Sequence, residues 1–254
     1  MRRLYNHIRF HRNWLLYLWY KINGKIKNGF IFKTRAGIEI TVPARLMHTY
    51  KECFMDQTYL KGFANTPIRT PTPVVIDIGA NVGYFSLNFF CIYPNAQLIA
   101  FEPIPNNYQL LQTYQQKNPG LNLTIVNEAV AGKTGELELF FNKADSFSTS
   151  ATLFKNTHEP DSIIVQTTTL LDIIEQRNLT TVDLLKLDCE GAEYDILYHT
   201  PTDVLKKIKA MAIETHTGPG EKENIQALVT YLQTQGYTTQ MLRSKIWASL
   251  QTAI

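Results

Sequence analysis

Cysteine is scarce: Cys53, Cys91 and Cys189 are odd in number and far apart in 254 residues, so the chain offers neither a disulfide framework nor a paired zinc-ligand spacing. A reducing compartment fits, and the expected location is cytoplasmic, with peripheral contact at a membrane left open. Long apolar runs are missing as well. The run Trp14 to Tyr20 has only seven residues, far too few to span a bilayer, and no small-residue cleavage site follows it. A soluble, unprocessed chain is expected. Acidic residues are absent from Met1 to Arg35, which holds nine Lys or Arg, so the net charge of +3 conceals a remainder of 16 − 22 = −6. A net acidic main domain repels phosphate backbones, and no nucleic-acid partner is expected. With 44% hydrophobic and 19% charged residues, the composition excludes a disordered, collagenous or coiled-coil chain. The length suits one main core with an N-terminal embellishment.

Leu4, Ile8, His11, Leu15, Leu18 and Ile22 recur at steps of three and four, which places them on one stripe of a helix ending near Asn23-Gly24. Such a helix packs on the core. Its surplus of Trp14, Tyr17, Trp19 and Tyr20 beside Arg2, Arg3, Arg9, Arg12 and Lys21 also suits a membrane surface or an anionic partner met by residues 1–27. Phe30 to Thr34 and Ile38 to Val42 flank Arg35-Ala36-Gly37 and read as a hairpin. Residues 1–70 thus form a basic cap, and residues 71–254 the main domain, which opens after the break Pro67 to Pro73.

From Val74 onward strands alternate with helices. Strands are expected at Val74 to Ile78, Gln97 to Phe101, Leu123 to Val126, Val182 to Leu187 and Ala210 to Thr215. A helix at Asn224 to Gln235 precedes an antiparallel edge made of Tyr237 to Leu242 and Ile246 to Leu250. A polar insertion from Gly132 to about Gln166 carries one additional strand, Leu137 to Phe141. The expected fold is α/β, a Rossmann-like doubly wound sheet with an N-terminal helix and hairpin.

Ligands in such sheets collect beyond the carboxyl ends of the strands. The first strand runs into Asp77-Ile78-Gly79-Ala80-Asn81-Val82-Gly83, where Gly79 and Gly83 permit positive φ and the next helix offers free N–H groups. This is a nucleotide-type cradle. Asn81 stands where the dinucleotide fingerprint has its second glycine, which disfavours an NAD-dependent oxidoreductase, and the Gly-Lys-Ser/Thr of a P-loop is absent. Glu102 closes the second strand 25 residues later (102 − 77), placed to accept both hydroxyl protons of a ribose. The plainer reading is an acidic residue near a helix N-terminus.

Four ordered blocks now resemble the FkbM family of S-adenosylmethionine-dependent methyltransferases. They are Val75-Ile76-Asp77-Ile78-Gly79-Ala80-Asn81-Val82-Gly83-Tyr84-Phe85-Ser86, Ala100-Phe101-Glu102-Pro103, Asp183-Leu184-Leu185-Lys186-Leu187-Asp188-Cys189-Glu190-Gly191-Ala192-Glu193, and Ile213-Glu214-Thr215-His216. The resemblance covers roughly Val74 to His216 and implies S-adenosylmethionine as cofactor. It also implies O-methylation of a hydroxyl on a sugar, glycan or secondary metabolite. Glu102 then takes the ribose, the N–H groups around Gly79, Asn81 and Gly83 the donor's carboxylate, and Asp77 its amine. Asn127, Glu128 and Ala129 follow the third strand and offer a neighbour for the adenine, an exposed loop role remaining open for Glu128.

Methyl transfer is an in-line displacement that mainly needs alignment, helped by a base or a metal that takes or acidifies the acceptor's proton. Asp188 ends one strand, while Glu214 and His216, two apart at the end of the next, share a face. His216 or Asp188 is the expected general base; in a second version Asp188, Glu214 and His216 partly ligate Mg²⁺. The bland alternatives are a loop contact for His216 and a lysine partner for Glu214. Glu190 and Glu193 open a helix and favour its dipole, and their place in the third block makes them acceptor-contact candidates. Asp145, Ser146, Ser148, Thr149 and Ser150 beside Phe147 and Phe154 suit either a sugar or a solvated surface loop. Two other functions compete: a noncatalytic cofactor-binding or scaffold protein, and a nucleic-acid methyltransferase, against which no Asn-Pro-Pro-Tyr-like motif follows the fourth strand.

Overall fold

The computed structural model describes residues 2–23, 29–64, 68–142, 147, 151–152 and 160–251. The single N-terminal helix expected from the apolar stripe is in fact two, α1 (Arg2–Phe10) and α2 (Leu15–Asn23). The break occurs because main-chain groups there are taken by the hairpin β1 (Phe30–Lys33) and β2 (Glu39–Val42): Arg12 N–H donates to Lys33 O at 2.8 Å, and Arg35 N–H to Phe10 O at 2.8 Å. The buried face differs too. Asn6, His7 and Phe10 face inward on α1, whereas Leu4, Leu15 and Ile22 are exposed. Gly24 and Pro67 lie outside the described residues.

α3 (Met47–Tyr50) runs into a π-helical turn at Lys51–Met55. Phe30, Phe32, Tyr50 and Phe54 stack in series, and the Tyr50 hydroxyl contacts His7 Nδ1 at 3.2 Å and His11 Nε2 at 3.0 Å. This layer packs on the main sheet, since the same apolar cluster includes Val75, Leu87, Phe89, Leu98 and Leu184.

The main sheet follows the alternation seen in the chain: β3 (Val74–Ile78), α4 (Tyr84–Ile92), β4 (Gln97–Phe101), α5 (Pro105–Lys117) and β5 (Leu123–Val126). Next come three strands outside the sheet, β6 (Ala129–Val130), β7 (Gly135–Phe141) and β8 (Asp161–Thr168), then α6 (Leu170–Gln176). The remainder is β9 (Leu184–Leu187), α7 (Glu193–His199), α8 (Thr202–Leu205), β10 (Ala210–Glu214), α9 (Ile225–Thr234), β11 (Tyr237–Leu242) and β12 (Lys245–Leu250). Seven strands pair in the order β11-β12-β10-β9-β3-β4-β5. Because side chains alternate along a strand, Val75, Leu98 and Leu184 face the N-terminal layer while Ile76, Ile99 and Leu185 face the layer of α6 to α9. Burial on both faces explains the continuous apolar runs.

The strand order reverses between β3 and β9, which are parallel neighbours, so a crevice opens beyond their carboxyl ends. The expected antiparallel edge is there with one refinement: β12 is inserted between β10 and β11 and pairs with both. The insertion is richer than one strand. β7 pairs along its length with β8, and β6 joins β8 to complete a separate three-stranded sheet.

Candidate active site

The turn after β3 needs a left-handed backbone at three places, Gly79 (φ +72), Asn81 (φ +53) and Gly83 (φ +81). At Gly79 a Cβ would stand 1.9 Å from Asp188 O, so the turns after β3 and β9 touch only because no side chain intervenes. The N–H groups expected to receive an anion are already engaged. Gly79 and Ala80 donate to Phe101 O at 3.1 and 2.9 Å, Asn81 to Glu102 Oε2 at 2.7 Å, Val82 to the Asn81 side chain at 2.7 Å, and Gly83 to Ala80 O at 2.9 Å.

Asp77, expected to hold the donor's amine, is fully buried behind this turn. Ser86 Oγ donates to it at 2.6 Å and Lys186 Nζ lies 3.1 Å away, itself bonded to Gly79 O at 2.6 Å. Burial alone would lower the lysine's pKa, but Asp77 and Asp188 outweigh it and the net shift is upward. Lys186, quoted within a sequence block but given no role there, therefore braces the turn after β3 from below.

Glu102 is buried at the end of β4 and accepts from Asn81 N, from Ile104 N at 2.9 Å and from Asn107 Nδ2 at 3.3 Å. Burial raises its pKa to about 7, the three donors only partly opposing it. It lines a narrow cleft of about 80 Å³ together with Gly79, Asn81, Glu128, Asp188 and Glu190. Leu137, Leu139 and Ala151 of the insertion form part of the wall. Asn127 is not among the lining residues; its amide donates to Glu102 O and Pro103 O at 2.8 and 3.0 Å and so pins the loop after β4.

A wider cavity of about 460 Å³ lies on the other side of the same turns, lined among others by Arg45, Glu52, Tyr59, Asp188, Glu214 and His216. Asp188 Oδ2 accepts from the Tyr59 hydroxyl at 2.5 Å, and Glu214 Oε2 stands 3.1 Å from that hydroxyl. Burial, then the two carboxylates, push the Tyr59 phenol well above its ordinary pKa. Glu214 also pairs with Lys245 at 2.5 Å, the lysine partnership anticipated as its plain role. Nothing local in the sequence marked Tyr59, whose partners are 129 and 155 residues away.

Glu193 turns out to be an internal brace. Fully buried, it accepts from Cys189 N at 3.0 Å, Gly191 N at 3.1 Å and His216 Nδ1 at 3.0 Å, and it lines neither cavity. His216 Nε2 faces Glu190 Oε2 at 3.4 Å. Burial opposes the charged imidazole, but Glu193 and Glu190 overcome it and raise His216 to about 9, so at neutral pH it holds a proton. That charge counts against the base role expected of it. Glu190 sits in a left-handed backbone (φ +54), and burial, tempered by His216, raises it to about 7. The metal-type cluster is also not the expected one: Asp188, Glu190 and His216 gather ligand atoms within 4.8 Å of one another, with Glu190 in place of Glu214. Of the insertion's polar residues, Asp145, Ser146, Ser148, Thr149 and Ser150, and also Phe154, lie outside the described residues; Phe147 O accepts a hydrogen bond from Arg45.

A doubly wound sheet with an antiparallel strand inserted next to its edge, and a cleft at the switch point, is a Rossmann-like α/β fold. The chain belongs to the FkbM methyltransferase family, because residues 77–239 match that family's methyltransferase FkbM domain. It is 28% identical over 208 residues to methyltransferase sdnD of Sordaria araneosa, covering 71% of this chain and 78% of that one. It is 24% identical over 238 residues to the 31-O-demethyl-FK506 methyltransferase FkbM of Streptomyces tacrolimicus, covering 80% and 85%. The fold matches a crystal structure of methyltransferase FkbM from Methylobacillus flagellatus KT with a TM-score of 0.51 at 12% identity, over 80% of this chain. This chain spans about half, 54%, of that solved chain.

Proposed function

We propose that this protein moves the methyl group of S-adenosylmethionine onto a hydroxyl of a sugar, glycan or secondary metabolite. One observation carries the reading. The narrow cleft and the wide cavity share a wall made of Gly79, Asn81, Asp188 and Glu190. A donor in the cleft and an acceptor in the cavity meet there, as displacement at a sulfonium methyl requires. The residues of the cleft fit the donor: Glu102 is a buried carboxylate at a strand end, ready to exchange main-chain donors for ribose hydroxyls, and Gly79, lacking a Cβ, lets the Asp188 turn close against it as part of the same wall. When bound, S-adenosylmethionine supplies the electrophilic methyl.

Asp188 is the proton acceptor in this reading. Tyr59 occupies Oδ2, which leaves Oδ1 for the acceptor hydroxyl; the oxygen gains the methyl, the carboxylate gains the proton, and S-adenosylhomocysteine departs. The imidazolium of His216 contributes positive charge and position. The polar wall of Arg45, Glu52 and Tyr59 suits a polyhydroxylated acceptor, and the 31-O-demethyl acceptor in the name of the Streptomyces relative agrees with oxygen as the target.

Isotope-labelled methyl donor with a panel of sugars, glycans and hydroxylated metabolites tests the reading. Labelled product should form with the native chain and fall about a hundredfold or more in Asp188→Asn, with donor affinity by calorimetry unchanged. Full turnover in that variant removes Asp188 from the chemistry, and a folded protein that binds no donor removes the enzymatic reading altogether. In a second version Asp188, Glu190 and His216, the last after giving its proton to solvent, would hold Mg²⁺, and the ion would supply Lewis acidity toward the acceptor hydroxyl. Undiminished turnover after chelation and gel filtration discards it.

A further inference from the structure

Among the described residues, six of the nine large apolar side chains that remain exposed are Leu4, Tyr5, Leu15, Trp19, Ile22 and Ile31, all in the first 31 residues. The concentration has a cause. α2 reads Leu-Leu-Tyr-Leu-Trp-Tyr-Lys-Ile-Asn and is apolar nearly all round. Helices of that kind are buried on every side, in a large core or in lipid. Here only one side is covered: Tyr17 is buried, and Leu16 and Tyr20 pack against the core cluster. Leu15, Trp19 and Ile22, at steps of four and three, form the opposite stripe and are 60%, 52% and 83% exposed.

The bare stripe continues onto the hairpin. Asn13, in the elbow before α2, donates to Ile31 O at 2.9 Å and accepts from Lys33 N at 2.9 Å. α2 therefore starts beside the outer face of β1, where Ile31 is exposed. Around this surface the charge is predominantly positive: Met1 to Arg35 carries nine cations and no anion while the rest of the chain totals −6, although Arg3 is paired with Asp56 and Lys33 with Glu39. Two copies meeting through this face would bring like charges together, which disfavours self-association. A surface that is apolar at its centre and anionic at its rim complements it.

We propose that α1, α2 and the outer face of β1 dock this protein onto an anionic phospholipid membrane, with Leu15, Trp19 and Ile22 entering the headgroup boundary. No helix among the described residues is long and apolar enough to cross a bilayer, and the docking proposed is at the membrane surface. The charge separation along the chain turns the basic end toward the lipid and the acidic main domain away from it.

The test is co-sedimentation of the full chain with vesicles of phosphatidylcholine plus phosphatidylserine, and of phosphatidylcholine alone, across a salt series. Binding to the mixed vesicles that weakens with salt is expected, with much weaker binding to phosphatidylcholine. Leu15→Glu with Ile22→Glu should lower the partition coefficient at least about tenfold, and Arg9→Gln with Lys21→Gln about tenfold, without moving the melting temperature. No binding to mixed vesicles at low salt, or equal binding by the native chain and the Leu15→Glu/Ile22→Glu variant, overturns the proposal. So does a concentration-dependent dimer that the same variant dissolves, because a second copy would then be the cover.

Discussion

Replacing Lys186 with methionine keeps the straight side chain and deletes the ammonium. The lysine is 3% exposed and its partner Asp77 0% exposed, with Nζ 3.1 Å from Oδ1. Without it, Asp77 keeps Ser86 Oγ as a donor at 2.6 Å, and Gly79 O loses the 2.6 Å bond that fixes the donor-side turn. Breaking one side of a buried ion pair costs about 3–5 kcal/mol, much of it the penalty of a charge left alone in low dielectric. At roughly 2–4 °C per kcal/mol for a chain of this size, Lys186→Met should lower Tm by roughly 6–20 °C. The decisive comparison is with Asp77→Asn and the double variant, by urea unfolding followed in both circular dichroism and tryptophan fluorescence. The double variant should recover more than half of the loss, since no charge is stranded. Single effects that add within about 0.5 kcal/mol would refute the coupling on which the brace depends.

Gly79→Ala should abolish donor binding and cost more than about 2 kcal/mol, because its Cβ meets a carbonyl at 1.9 Å. Gly37→Ala, at φ +85 with open space around it, is the control and pays only the conformational term of about 1 kcal/mol. Burial lowers His7 to about 4 and His11 to about 3, so the unfolded chain binds protons that the native one refuses. The contribution of His7 and His11 should be full above about pH 7, start to fall as pH drops through 6.5, and keep falling toward 4, while Glu102, Glu190 and His216, all shifted upward, act in the opposite sense; the check is therefore the difference in urea midpoint between the native chain and His7→Phe/His11→Phe, and a difference unchanged between pH 7 and 5 would contradict this. Tyr59→Phe should lower kcat about tenfold with donor affinity intact, measured by calorimetry beside initial rates; an effect on KM for the donor alone would place Tyr59 elsewhere in the cycle.

What the chain disclosed in advance follows from range. β3, β4, β9 and β10 are buried on both faces, and their apolar runs report that burial directly. β8 is half-exposed, with polar and apolar residues interleaved, and so read as part of a polar insertion. α6 was missed although Thr169 and Asp172 form a capping box at its start. In the site, Glu102 and Asp188 were legible because a strand end is a local property. The engagement of the Gly79, Ala80 and Asn81 N–H groups was not, because Phe101 O and Glu102 come from the end of the neighbouring strand. The same dependence on range separates the two halves of the site. The cleft is built within residues 77–239, the stretch that matches the family. Arg45, His48, Glu52 and Tyr59, on the far wall of the wide cavity, precede that stretch and arrive only through packing of the N-terminal layer. On the proposed reading, a motif shared across a family describes the donor cleft, while the shape offered to the acceptor depends on a segment that carries no motif. Differences in acceptor should accordingly track substitutions in residues 45–59 more closely than those in the glycine turn.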